Sequence, residues 1–475
     1  MSEEPARRGW TIVTGGTGFV GHVLTAELLR RGERCLLLAR GSEEVAGAAV
    51  SRLLGELGVD AGALIRQGRL AVLSGSLPDG LPGQLPVGLH GPVDRVVHCA
   101  AVVRFEADGS GEPARTNDLG TRRLLEWAAG KGVAEFHLVG TAYACGKLAG
   151  ATPERVVEEP GAFRNVYEES KWAAERHAAA WGRGPGRVCT IYRPSIVVGD
   201  FASGRATRFN GLYPALHAFE RCTRGVMERD PGAGLRRMML RIEGDPKGRL
   251  NLAPVDHVAG LIAAVVMERT LQGGVYNLVD PAPLANQTLL EMIERYFGVT
   301  GCRFEPGESP APAGLAESFA AYTRTLRPYI VETPAFERAR TTGLEERLGR
   351  PWPAWDERAV RGLIDFAREA NWGRRAEHRA VSRNDPVAAY FEEFLPDRAA
   401  RSSLTSMTSL DTTFCFVVDG VADGSWVCRF ERGRLKGVPR RGEDAGVDFT
   451  YRMDVRAFHD IVGALVDPQE VFLEG

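Results

Sequence analysis

Residues 10–21 read WTIVTGGTGFVG, and this stretch decides the fold. Its first half, Trp10 to Thr14, is a short apolar, β-branched run with the composition of a buried strand. Its second half places Gly15, Gly18 and Gly21 three residues apart and runs into the helix-period segment Phe19 to Arg31. In such an order the first glycine permits a tight turn and the second lets backbone N–H groups approach a pyrophosphate. The third allows the helix to pack closely on the strand. A bare glycine pattern also suits a merely structural turn, but the strand before it and the helix after it favour dinucleotide binding. Thr14, Gly15, Thr17, Gly18, Phe19, Val20 and Gly21 are therefore candidate cofactor-binding residues.

Outward from this turn the same alternation continues to about Pro194. The apolar runs CLLLAR, LAVLSG, DRVVHCAA, EFHLVG and VCTIYRPS are interleaved with helical candidates at Glu43 to Leu57, Pro113 to Lys131 and Tyr167 to Trp181. This pattern predicts an α/β fold, a Rossmann-type doubly wound parallel sheet over residues 1–200, with ligands at the carboxyl ends of the strands. From 201 to 372, Gly/Pro-rich breaks separate amphipathic helices such as Gln287 to Phe297 and Asp356 to Ala370. We read this part as a smaller substrate lobe with strands and helices returning to the dinucleotide-binding core. The Arg-rich stretch NWGRRAEHRAVSRND contains a linker at 373–384. Beyond it TTFCFVVDG, WVCRFERGRL and VDFTYRM alternate in polarity, which predicts an antiparallel sheet preceded by a helix at Pro386 to Phe394. Residues 385–475 are thus expected to form a separate α+β domain.

Composition narrows the function. With 44% hydrophobic and 25% charged residues the chain is an ordinary folded protein. A net charge of −2 gives no footprint for nucleic acid. The eight cysteines form no CxxC cluster, so no metal or redox motif is supported. No apolar stretch reaches the roughly 18 residues of a membrane span, and MSEEPARRGW lacks the apolar core of a signal peptide, so a cytoplasmic location is expected.

The second strand ends at Arg40, where an acidic residue would suit the ribose 2′-hydroxyl of NAD; a guanidinium suits a 2′-phosphate, so NADPH is the expected cofactor. Arg52, one helix later, is a second candidate cation, although either arginine also reads as a solvated side chain. In YEESK the four-residue spacing stacks Tyr167 and Lys171 on one helix face, where the ammonium can ease proton delivery by the phenol. Thr141, closing the fifth strand, offers a hydroxyl to the same oxygen. Only five of the 59 basic residues are lysines, which makes a motif lysine informative.

Together TGGTGFVG, HCAA, NDLGT, GTAYACG, YEESK and YRPSIVVG resemble the extended short-chain dehydrogenase/reductase superfamily over about residues 9–370. The resemblance implies a catalytic set of Thr141, Tyr167 and Lys171, with Lys171 also holding the cofactor ribose. It places Asn117 near the cofactor, and Ala100, Ala101, Arg193, Pro194 and Ser195 along the dinucleotide. It makes His98 a packed strand-end residue. Within the superfamily, AAVVRF, NVYEESKWAAE, NLAPVDHVA and GVYNLVD resemble the thioester reductase and fatty acyl-CoA reductase branch. Ser76 departs from that branch, which commonly has an aspartate there facing the adenine. The tail, closing with FHDIVGALVDPQEVFLEG, resembles the sterol-carrier-protein-like lipid-binding domain, which usually continues further; the chain stops at Gly475, so a truncated version is expected.

The resemblance implies an NADPH-dependent reductase of a lipid-like acyl thioester, on CoA or an acyl carrier protein, giving an aldehyde or onward an alcohol, with a lipid ligand for the tail. Two rivals stand beside it. One is an extended reductase acting on a ketone or hydroxyl, of 3β-hydroxysteroid or 3-oxoacyl type, or a sugar-nucleotide epimerase. The other is a non-catalytic NADPH-sensing lipid carrier, which would need no proton donor.

Overall fold

The computed structural model describes residues 9–83, 91–107, 109–229, 236–307, 319–320, 323–373, 386–401, 411–419, 424–432, 434–438 and 447–462. The expected linker, apart from Gly373, and residues 463–475 of the closing motif lie outside them. The chain divides into two compact units, Met1–Trp372 and Gly373–Gly475.

In the first unit the apolar runs form strands β1 (Trp10–Thr14), β2 (Cys35–Ala39), β3 (Leu70–Ser74), β4 (Val93–His98), β5 (Glu135–Val139) and β6 (Val188–Pro194). A seventh strand, Gly274–Leu278, joins the edge beside β6, giving the order seventh-β6-β5-β4-β1-β2-β3, parallel throughout. Successive strand residues enter opposite cores: Val13, Leu37 and Val97 pack on one face, and Ile12, Leu36 and Val96 on the other. Burial on both faces explains the continuous apolar runs.

The helices follow in chain order as α1 (Phe19–Arg30), α2 (Glu43–Glu56), α3 (Ala61–Arg66), α4 (Gly120–Gly130) and α5 (Val166–Gly182). Later come α6 (Tyr213–Arg229), α7 (Val255–Met267) and α8 (Asn286–Phe297). α7, the most apolar segment, lies against α1, whereas α4 and α5 pair with each other. The seventh strand and α7 therefore return to the sheet from the stretch after residue 200. A separate apolar cluster, built from α6, α8 and Glu357–Glu369, forms the lobe beside it.

β1 and β4 are neighbours although their connections leave in opposite directions along the sheet, so a crevice opens between their carboxyl ends. The glycine turn after β1, Arg40 after β2, Gly75 after β3, Cys99 to Ala101 after β4, Thr141 after β5 and Ser195 after β6 all face it.

The second unit corrects one expectation. Its sheet is mixed: Thr412–Asp419 runs antiparallel to Ser425–Glu431, which runs antiparallel to Arg434–Gly437, but Phe449–Asp454 pairs with Thr412–Asp419 in parallel. Alternation reveals which face a residue takes and not the direction of the strand, so the parallel edge was invisible in it. The expected helix is present and runs on to Arg401: Pro386–Ala389 passes through a π-helical turn at Tyr390–Phe394 into Leu395–Arg401. Phe391 stacks on Trp426 with centroids 4.6 Å apart, and Phe416 and Phe458 close around them.

Candidate active site

The crevice is a cleft of about 750 Å³. At its phosphate end Gly15 has φ +72°, and an added Cβ would lie 2.6 Å from the Ala100 nitrogen. A Cβ on Gly21 would meet the Gly15 oxygen at 2.0 Å. A side chain at either position would displace backbone, so the turn keeps its N–H groups and the start of α1 open to an anion.

Behind this turn a hydrogen-bonded chain fixes the neighbouring loops. The Thr121 hydroxyl donates to the Asn117 carbonyl at 2.5 Å, which leaves its oxygen to accept from His98 Nε2 at 2.9 Å. His98 Nδ1 then accepts from Thr14 Oγ1 at 2.6 Å, and Ala100 N–H donates weakly to Thr14 at 3.4 Å. Burial, followed by the Lys171 charge, pulls the His98 imidazole down to about 3, so it is a neutral brace in a single tautomer.

At the other end stand Thr141, Tyr167 and Lys171. The Asn165 side chain caps α5 by accepting from Glu168 N–H at 3.0 Å, and this cap places Tyr167 in the first turn, facing the cleft. Lys171, one turn on, is 2% exposed and donates to the Val139 carbonyl at 2.8 Å. Burial pulls its ammonium down to about 8, against the raising influence of Glu175 and Cys99. Burial, and after it the Glu168 charge, push the Tyr167 phenol up. Thr141 is buried in the cleft wall, and its hydroxyl accepts only a long 3.5 Å bond from Tyr143 N–H among the described residues. The Ser195 hydroxyl, also buried there, has no partner among them. A polar atom left unpaired at a cleft wall suits a ligand with donor and acceptor groups of its own.

The structure therefore gathers Thr14, Gly15, Thr17, Gly18, Phe19, Val20, Gly21, Arg40, Ala100, Ala101, Thr141, Tyr167, Lys171, Pro194 and Ser195 around one cleft. Three expected residues are elsewhere. Arg52 points along its own helix to Glu56, 2.6 Å away and exposed. Arg193 is fully buried and held by Glu175 at 2.6 Å. Asn117 lies beneath the cleft: its Oδ1 accepts from Val102 N–H at 2.8 Å, and its Nδ2 donates to the Val102 carbonyl and to Ser170 Oγ, both at 3.0 Å. It holds the loop that lines the cleft and does not line it.

The structure adds residues that sequence reasoning missed. Tyr143 and Tyr329 pack as a tilted pair with centroids 4.5 Å apart, and Phe105 lies 5.8 Å from Tyr167, so this end of the cleft is walled by aromatic rings. Arg208 lines the cleft from the segment before α6. Phe105 and Tyr143 lay within motifs already singled out, but no local signal marked Tyr329 or Arg208.

A parallel sheet with this switch point, a glycine turn and a Thr-Tyr-Lys set in one cleft define an extended short-chain dehydrogenase/reductase. The chain belongs to the NAD-binding family described as male sterility protein, whose model matches residues 13–262. Among curated proteins it is 30% identical over 217 residues to "Sterol demethylase protein B" of Methylococcus capsulatus, covering 42% of this chain. The chain spans 59% of that relative's length. Its fold is similar to that of the terminal R domain from the myxalamid PKS-NRPS biosynthetic pathway, with TM-score 0.60, 22% identity and coverage of 78% of this chain and 93% of that one. It is also similar to a thiolation-reductase di-domain from an archaeal non-ribosomal peptide synthetase, with TM-score 0.56, 17% identity and coverage of 77% and 91%. Among the described residues no helix is long and apolar enough to cross a membrane, and no group of three or more His, Cys, Asp or Glu is placed to hold a metal ion.

Proposed function

We propose that this protein reduces an acyl thioester, carried on CoA or an acyl carrier protein, with NADPH. The observation that carries the reading is the convergence of the Thr141 hydroxyl, the Tyr167 phenol and the buried Lys171 ammonium at one end of a cleft whose other end is a glycine turn. The turn and the start of α1 would hold the pyrophosphate, Arg40 the 2′-phosphate, and the Ser195 hydroxyl the carboxamide end. Arg40 supports the choice of NADPH because it is exposed at the end of β2 and pairs with no carboxylate among the described residues. When bound, the nicotinamide supplies a hydride.

The chain's own residues do the rest. Thr141 and Tyr167 donate to the carbonyl oxygen as negative charge develops on it, and Tyr167 passes its proton to that oxygen. Lys171, charged below about pH 8, would place a positive charge one helical turn from the phenol, which burial and the Glu168 charge push up. Collapse of the resulting hemithioacetal releases the thiol and leaves an aldehyde. The aromatic wall of Phe105, Tyr143 and Tyr329 suits an apolar acyl group next to the carbonyl. The named resemblance to a thiolation-reductase di-domain supports a carrier-bound substrate.

A second reading, a ketone or hydroxyl on a sterol-like molecule, is favoured by the 30% identity with a protein named for sterol demethylation. NADPH consumption measured with acyl-CoAs, acyl carrier proteins and ketosteroids, with free thiol assayed in parallel, separates the two: thioester reduction yields thiol and ketone reduction yields none.

A further inference from the structure

The residue after the proton donor is an acid, and it is completely buried: Glu168 is 0% exposed. A buried carboxylate there costs desolvation and opposes formation of a phenolate, so it persists only with partners for both oxygens. Those partners come from two places. Glu168 Oε2 accepts from the backbone N–H of Arg164 at 3.1 Å and from Arg164 Nη1 at 3.3 Å. Glu168 Oε1 accepts from the hydroxyl of Tyr329 at 2.9 Å, and the same hydroxyl accepts from Asn165 Nδ2 at 2.9 Å. Tyr329 belongs to the short helix Arg327–Glu332 of the substrate lobe. The end of that helix is tied to the same place, because Glu332 takes Arg164 Nε at 2.8 Å and Lys147 Nζ at 2.5 Å. The Tyr329 ring meanwhile faces the cleft, and Phe105 bridges it to Tyr167, with centroids 6.4 and 5.8 Å away.

We propose that Glu168 is a positioning residue: by holding Tyr329 it makes the docking of helix Arg327–Glu332 and the placement of the Tyr167 phenol a single event, so that the substrate wall and the proton donor are assembled together. The inference rests on Tyr167 being the proton donor. It explains why a carboxylate sits where catalysis alone would avoid one. Besides Arg164 and Tyr329, the titratable groups near this cluster among the described residues include Tyr167, Tyr143, Glu332 and Lys147.

The test is a double-mutant cycle of Tyr329→Phe and Glu168→Gln in the full chain, read as kcat and KM for the carbonyl substrate and as NADPH affinity by fluorescence. Tyr329→Phe takes one donor from the carboxylate, and Glu168→Gln leaves one acceptor oxygen for the Tyr329 hydroxyl and the Arg164 donors to share; each should lower kcat/KM by about 5- to 100-fold, with KM rising and NADPH affinity within about twofold. The double variant should be no more than about twofold worse than the poorer single variant, because both changes open the same link. Losses that multiply, or singles within about twofold of the unmodified enzyme, would overturn the proposal. Should Glu168→Gln lose NADPH binding through misfolding, Tyr329→Phe alone decides, since its ring is retained: a raised KM supports the link and an unchanged KM removes it. If no thioester is consumed by the unmodified protein, the functional reading fails separately, and the cycle is read on the ketone or hydroxyl substrate it does turn over.

Discussion

Arg193 at the end of β6 is gripped by Glu175 on α5, with Nη2 and Oε2 2.6 Å apart and neither side chain more than 1% exposed. Two further guanidinium N–H groups go to the carbonyls of Pro153 at 2.9 Å and Arg155 at 3.2 Å. Glu175 lies one turn beyond Lys171, so this pair fastens α5 to the sheet. Buried and held in this way, the Arg193 side chain lies behind the cleft and does not line it.

Arg193→Ala should therefore act on stability. Leaving Glu175 buried and unpaired is expected to cost about 3–5 kcal/mol in urea unfolding, while NADPH affinity of the folded fraction stays within a few fold. A selective loss of NADPH affinity at unchanged stability would return Arg193 to the cofactor site.

Tyr167→Phe should lower turnover by about 100-fold or more and leave NADPH binding within a few fold, because the phenol acts on the developing oxyanion and the glycine turn holds the cofactor. Turnover within about threefold of the unmodified enzyme, measured under saturating NADPH, would remove Tyr167 from the mechanism.

Much of the site was readable because its signals are local. The glycine turn, the YEESK pair and the strand-end residues each announce themselves within a few positions, and the sheet only has to bring strand ends together. Arg52 reads from sequence either as a second cofactor cation or as a solvated side chain, and the structure pairs it with Glu56, four residues on along the same helix face. Tyr329 could not be read, since its partner Glu168 lies 161 residues away and tyrosines in amphipathic helices are common. The parallel edge strand of the second unit was hidden for a similar reason: pairing direction is a long-range property.

The two arginines give a paired test of cofactor choice. Arg40→Asp should weaken or reverse a preference for NADPH over NADH, by about 10- to 150-fold for a charge-assisted pair worth roughly 1.5–3 kcal/mol. Arg52→Ala should leave the preference unchanged, because its guanidinium is engaged by Glu56. Equal use of both cofactors by the unmodified enzyme would contradict the assignment of Arg40.

The pH dependence follows from Lys171. Its protonated form is the useful one and its value is pulled down to about 8, so activity should be level below that pH and fall as pH rises through it. A profile of kcat from pH 6 to 10 checks the sign; activity that rises through pH 8 would mean that the neutral amine is required.

The central claim is that the bond broken is a thioester. The direct measurement is to mix the protein with NADPH and a panel of acyl-CoA and acyl carrier protein thioesters and to follow NADPH oxidation and free thiol together. Thioester reduction predicts one thiol released for each NADPH consumed if the product is aldehyde, or one for every two if it is alcohol, and neither without protein. NADPH oxidation that requires a ketone and releases no thiol would contradict the claim.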